Sequence, residues 1–159
     1  MRAITRSVAT LVLVCGIAAA DDPATKVVFV CEHGNVKSLM AASYFNQLAE
    51  QRGLPFHAVS RGVAPDSTTV PKPIVAGLDA DGFDVRDFHP SKIAADDLAD
   101  AATVVIISTA LPADAGAGGL RVEHWNDVPP ASTSYEAARS ALKAHVAELL
   151  DRMAAHQAR

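Results

Sequence analysis

The stretch "KVVFVCEHGNVKSLMAASYFNQLAEQRG", residues 26 to 53, decides the fold. "KVVFVC" is a short unbroken apolar run of β-branched and aromatic residues, the pattern of a strand buried on both faces. From Leu39 onward the apolar positions Leu39, Met40, Ala42, Phe45 and Leu48 recur at helical spacing, and Gly53 is a helix stop. Cys31 to Ser38 is therefore predicted to be a loop between a buried strand and a helix. In open parallel sheets, ligands bind outside the carboxyl ends of the strands, often where the next helix begins.

Downstream, the pattern continues. "FHAVSRG" reads as a second strand, "VAPDSTTVPKP" as irregular chain, and "IVAGLDADGF" as a short helix closed by Gly82. "DVRDFHPSKIAADDLADA" contains an acidic helix expected to be solvated on one face. "TVVIIST" is the strongest strand, "LPADAGAGGL" a loop and "RVEHWNDV" a last strand. "SYEAARSALKAHVAELLDRMAAHQ" is a long closing helix, with Ser132, Thr133 and Ser134 before it as capping residues. Strands alternating with helices predict an α/β fold: one three-layer domain with a central parallel sheet of about four strands and helices on both faces. At 159 residues the chain suffices for one hydrophobic core.

The first twenty residues, "MRAITRSVATLVLVCGIAAA", read as a targeting segment, with Arg2 and Arg6 at a basic start, an apolar stretch, and Ala18, Ala19 and Ala20 as a small-residue cleavage site. The expected organisation is a signal peptide over residues 1–20 and one domain over 21–159. An exported, periplasmic protein follows, without stable membrane insertion, because the apolar run is too short for a comfortable span. The chain carries 14 basic and 18 acidic residues, a net charge of −4 with neutral histidines, and cleavage would make it more acidic. With no lysine/arginine cluster, it is a poor candidate for binding nucleic acid. Of two cysteines, cleavage would leave Cys31 alone, so no intramolecular disulfide could form.

A lone thiol in an exported protein calls for a use. The unpaired amides and dipole at a helix N-terminus form an anion site and favour the thiolate, the nucleophilic form of cysteine. Cys31 is the candidate nucleophile, Lys37 would bring a positive charge back over the loop, and Ser38 can offer its hydroxyl to the sulfur or cap the helix. Glu32, His33, Gly34, Asn35, Val36, Lys37 and Ser38 make up the oxyanion cradle, with Gly34 and Asn35 tolerant of left-handed backbone. Glu32 would disfavour an anion if it pointed inward, so it is expected to point out. The six histidines are scattered without metal-ligand spacing, and neither a metal nor another cofactor is expected. Trp125 is expected in a site wall or in the core.

At these residues the chain resembles the low-molecular-weight protein tyrosine phosphatase superfamily, which also contains the arsenate reductases of that fold. The family signature, a cysteine, five residues, then Arg-Ser after the first strand, stands here as "CEHGNVKS". His33 and the following "KSLMAASYFNQLA" are more similar to the reductase branch. "VSRGVAPD", "GLDADGFDVRDFHPSKI" and "HWNDVPP" resemble later stretches, so the likeness covers nearly all of the chain after the leader.

The resemblance implies a phosphate or arsenate oxyanion as ligand, carried by a phosphorylated protein or a small phosphoester, with an external thiol as partner in the reductase case. Three departures bear on activity. Lys37 stands at the arginine position, and a lysine is a point charge on a flexible stem where arginine is a two-pronged fork. The family's acid, an Asp-Pro pair four and five residues after the tryptophan, falls on Pro129 and Pro130, leaving Asp127 as the nearby carboxylic acid. "STALPADAGAGG" holds none of the resolving cysteines of thioredoxin-coupled reductases. Phosphatase, arsenate reductase and non-catalytic oxyanion binder therefore all stay open.

Overall fold

A computed structural model describes residues 25 to 158 apart from 114, 116 and 117. Residues 1–20, expected to be a targeting segment, lie outside the described residues. Four strands, β1 (Thr25–Cys31), β2 (Phe56–Gly62), β3 (Ala101–Ile107) and β4 (Val122–Trp125), form one parallel sheet in the order β2-β1-β3-β4. The helices are α1 (Lys37–Gln51), α2 (Lys72–Ala80), α3 (Ala95–Ala99) and α4 (Tyr135–Gln157). This is the α/β architecture expected from the alternation, with a parallel sheet between helices.

The period of two along β1 divides the core. Val27, Phe29 and Cys31 join the larger cluster, with Met40 and Phe45 of α1, Leu142, Leu149 and Leu150 of α4, and Ile74 and Leu78 of α2. Val28 and Val30 turn to the opposite face and meet Ile93, Leu98, Val104 and Ile106. Both faces of β1 are thus dry, which is why its sequence is a continuous apolar run rather than an alternating one.

Local details follow the punctuation of the chain. Helix α1 ends at Gly53, whose φ of +62° is left-handed, while the Leu54 N–H reaches back to the Ala49 carbonyl at 2.9 Å. Ser134 caps α4, its hydroxyl accepting from the Ala137 N–H at 3.1 Å. Two elements differ in detail from expectation. Helix α2 starts inside the proline-rich stretch, at Lys72, with Pro73 in its first turn, where a missing N–H costs nothing. The acidic helix is a single short turn, and its Asp97 is buried: the carboxylate takes Arg61 Nε at 2.8 Å and Nη2 at 2.7 Å and the Ala94 N–H at 3.0 Å. Burial alone would raise the Asp97 carboxyl, but Arg61 and that N–H hold it below its ordinary value.

Among the described residues, no helix is long and apolar enough to cross a membrane.

Candidate active site

Cys31 is the last residue of β1, and α1 begins at Lys37, so the intervening loop turns across the carboxyl end of the sheet. The sulfur is buried beneath it. Ser38 Oγ lies 2.9 Å from Sγ, and the Gly34 N–H points at Sγ from 3.3 Å. The helix N-cap is Val36, with no side-chain cap bond, which leaves the Ser38 hydroxyl for the thiol. Of the two uses the sequence allowed for Ser38, the structure takes the first.

Behind Ser38 lies a buried residue that spacing did not single out. Ser60 Oγ is 2.9 Å from Ser38 Oγ and 3.0 Å from the Gly34 carbonyl. Ser60 is the donor in both contacts, which leaves the Ser38 proton free for the sulfur. With a thiolate, Ser38 turns its proton onto sulfur while Ser60 still has an acceptor. The chain can therefore support the thiolate without stranding a buried hydroxyl.

Two glycines bring the loop this close to the sheet. Gly34 has φ +75°, and a β-carbon there would stand 2.6 Å from the Gly62 nitrogen. One on Gly62 would stand 2.7 Å from the His33 carbonyl carbon. The two backbones touch, which only residues without side chains allow. Gly62 lies opposite Cys31 in the β1–β2 register.

The remaining loop residues are anchored by side-chain hydrogen bonds. Asn35 is buried, its Nδ2 donating to the Thr69 carbonyl at 3.0 Å. His33 Nδ1 lies 3.2 Å from the Ala64 carbonyl and 3.3 Å from Asp66 Oδ1. Glu32 accepts from Thr109 Oγ1 at 2.7 Å. Among the described residues, the N–H groups of His33, Asn35, Val36 and Lys37 have no acceptor within the protein, leaving a row of donors at a helix N-terminus for an anion.

Lys37 lines the cleft. Its ammonium donates to Val128 O at 2.8 Å and Ser108 Oγ at 2.9 Å, tying α1 to the end of β3 and the chain beyond β4. Burial lowers its pKa from the ordinary lysine value, and the charge of Cys31 opposes that shift. Ser108 holds φ +51°, the one left-handed non-glycine residue among those described. Such a conformation costs about 1–3 kcal/mol and persists where the surroundings enforce it.

A cleft of about 410 Å³ opens above the sulfur. Glu32, His33, Asn35, Val36 and Lys37 form one side, Pro71, Pro73 and Ile74 of the α2 entrance a second, and Ile107, Ser108, Pro130, Ala131 and Ser132 the rest. Asp127 is not in this lining. Its exposed carboxylate meets His145 Nε2 at 2.9 and 3.0 Å, and His145 stacks on Trp125 with centroids 4.8 Å apart. Trp125 is a core residue, packed on Phe29. Among the described residues, no group of three or more histidine, cysteine or carboxylate side chains could hold a metal ion.

A family model, low molecular weight phosphotyrosine protein phosphatase, matches residues 26–118. Among the solved structures that share the fold, three are representative. YfkJ from Bacillus subtilis is 20% identical with a TM-score of 0.73, the match covering 83% of this chain and 96% of that one. A thioredoxin-dependent arsenate reductase of Corynebacterium glutamicum is 16% identical with a TM-score of 0.68 over 84% of this chain, which spans only 64% of the reductase's length. An arsenate reductase from Archaeoglobus fulgidus is 24% identical with a TM-score of 0.63, over 79% of this chain and 98% of that one. No curated protein matches.

Proposed function

Because the chain belongs to the low molecular weight phosphotyrosine protein phosphatase family, we propose that it binds a phosphate-type oxyanion in the Cys31–Ser38 loop and hydrolyses a phosphomonoester through a phosphocysteine. The observation that carries this is the sulfur's position. It sits at the floor of the cleft, touched by Ser38 Oγ at 2.9 Å and the Gly34 N–H at 3.3 Å, under a row of unclaimed amides.

In this reading the Cys31 thiolate attacks phosphorus in line with the ester oxygen, and the loop amides hold the equatorial oxygens. The third N–H of Lys37 supplies charge nearby. Water then attacks phosphorus and frees the thiolate. The test is hydrolysis of an activated aryl phosphate by the 159-residue chain under reductant, beside Cys31→Ser, with mass analysis for phosphate on Cys31. Release that depends on Cys31 and leaves the adduct supports the proposal; equal inertness of both proteins removes phosphatase turnover.

A second reading, arsenate reduction, draws on the His33-containing loop and its similarity to the reductase branch. Cys31 would form a thiol–arsenate adduct, and an external thiol would supply the electrons. Arsenite release from arsenate that requires both Cys31 and added thiol would select it. If neither reaction occurs but phosphate raises the melting temperature, the loop is an oxyanion-binding site without turnover.

Export through residues 1–20 belongs to the same proposal. Recovery of a chain beginning at Asp21 from the periplasm of an expressing cell is the measurement; an intact Met1 chain in the cytoplasm would refute it.

A further inference from the structure

The cleft presents a nucleophile to a phosphoryl donor, and among the described residues no unengaged carboxylic acid lines it to protonate what leaves. Among the described residues, Glu32 is the one carboxylate in its lining, and it is bonded to Thr109 Oγ1 at 2.7 Å. Asp127 is outside the lining and held by His145. His33 turns Nδ1 to the Ala64 carbonyl and Asp66. The ammonium of Lys37 has two N–H groups committed to Val128 O and Ser108 Oγ. The wall beyond β4 is Pro130, Ala131 and Ser132, whose one polar group is a hydroxyl, far too weak an acid to serve as a general acid near neutral pH.

A phenolate or alkoxide leaving unaided is a poor leaving group, and a positioned acid ordinarily makes up the difference. Resting on the phosphatase reading, we infer that the substrate is a phosphoryl donor whose leaving group departs as a stable anion: an acyl phosphate or the phosphate ester of an acidic phenol, not a tyrosyl or alkyl phosphate. The apolar walls at Pro73, Ile74, Ile107 and Pro130 suit a donor with an apolar body.

The electron count closes without an acid. The thiolate of Cys31 forms the S–P bond as the P–O bond breaks, and the leaving group takes the bonding pair as a carboxylate or phenolate. Water then adds to phosphorus, the S–P bond breaks, and the products are the thiolate and dihydrogen phosphate.

The experiment is a leaving-group series with the 159-residue chain under reductant: acetyl phosphate, 2,4-dinitrophenyl phosphate, 4-nitrophenyl phosphate and phenyl phosphate, with Cys31→Ser as the blank. The kcat/KM values report steps only through transfer to sulfur. They should fall by about 10²–10⁴-fold from the dinitrophenyl to the phenyl ester, the factor a positioned acid contributes. A flat, Cys31-dependent series overturns this inference and leaves the phosphatase reading standing, because some group is then donating the proton. No Cys31-dependent release from any member, acetyl phosphate included, removes the phosphatase reading and this one with it.

Discussion

Gly62→Ala tests the fit of the loop against the sheet. A β-carbon at 62 would stand 2.7 Å from the His33 carbonyl carbon, 2.8 Å from its oxygen and 2.9 Å from the Gly34 nitrogen, all of them backbone atoms that no rotamer change can move aside. Strand β2 cannot retreat, because the Gly62 N–H donates to Ser91 O at 2.9 Å and its carbonyl accepts from Ile93 N–H at 2.8 Å. The loop must therefore lift by about 0.7 Å, the step from 2.7 Å to the 3.4 Å at which ordinary contact begins. That lift pulls the Gly34 N–H, now 3.3 Å from sulfur, out of reach. Overpacking of this kind costs about 1–3 kcal/mol. At roughly 2–4 °C per kcal/mol for a domain of this size, the melting temperature should drop by about 2–12 °C. Inorganic phosphate should raise the wild-type melting temperature by mass action and fail to raise that of Gly62→Ala. Gly82→Ala, with φ +90° and nothing within 4 Å of a new β-carbon, is the control: strained, but with its phosphate response intact. A Gly62→Ala protein that melts like wild type and responds fully to phosphate would refute the reasoning.

Three other changes address separate contacts. Burial alone would raise the Asp81 carboxyl, but hydrogen bonds from Arg139, Tyr44 and Tyr135 hold it below its ordinary value, so its stabilisation is full above the unfolded carboxylate pKa and is lost as pH falls through the native one. Asp81→Asn should cost about 1–3 kcal/mol near neutral pH and flatten the loss of stability below about pH 4; parallel acid limbs in urea titrations would contradict this. Ser60→Ala leaves the buried Gly34 carbonyl without its 3.0 Å donor, so urea denaturation should show a loss of about 1–3 kcal/mol, and unchanged stability would mean the serine chain is idle. Asp127→Asn should leave kcat/KM for 4-nitrophenyl phosphate unchanged, whereas a fall of about 10²-fold or more would bring Asp127 into the chemistry.

The fold was legible because "KVVFVC" and "TVVIIST" hold short, β-branched apolar cores, and runs of that length and composition fit a strand covered on both faces. The sulfur's loop was legible for the same reason: it follows from where β1 ends and α1 begins. What closes the site was not. Ser60 and Gly62 read as the end of an ordinary strand, and their importance comes from the parallel register that sets Gly62 against Cys31. Ser108 carried no glycine or asparagine signal for its left-handed backbone. Lys37 reaches partners 71 and 91 residues away, and spacing along a chain does not say what lies across it. The acidic helix is solvated on one face as read, but which of its acids turns inward was not legible, because an isolated turn has no way to announce Arg61, 36 positions before Asp97.

Two of the three departures from the family pattern, Lys37 and Pro129, meet in one hydrogen bond. Lys37 Nζ donates to the carbonyl of Val128, the residue before Pro129. A proline restricts the residue preceding it to extended conformations, and Pro129 is itself followed by Pro130, so this stretch is stiff and presents a fixed acceptor to the ammonium. Lys37→Arg alone would keep that carbonyl and Ser108 as claimants on its N–H groups and gain little grip on an oxyanion. Pro129→Asp alone would set a carboxylate beside an ammonium that favours its ionised form, and an ionised carboxylate is no proton donor. Each single change should therefore barely raise kcat/KM for phenyl phosphate. The double variant should exceed the product of the two by about 0.5–3 kcal/mol of coupling, the range for residues that share a partner. Gains that simply multiply would mean that the two positions act separately and that the bond from Lys37 to Val128 is incidental to the chemistry.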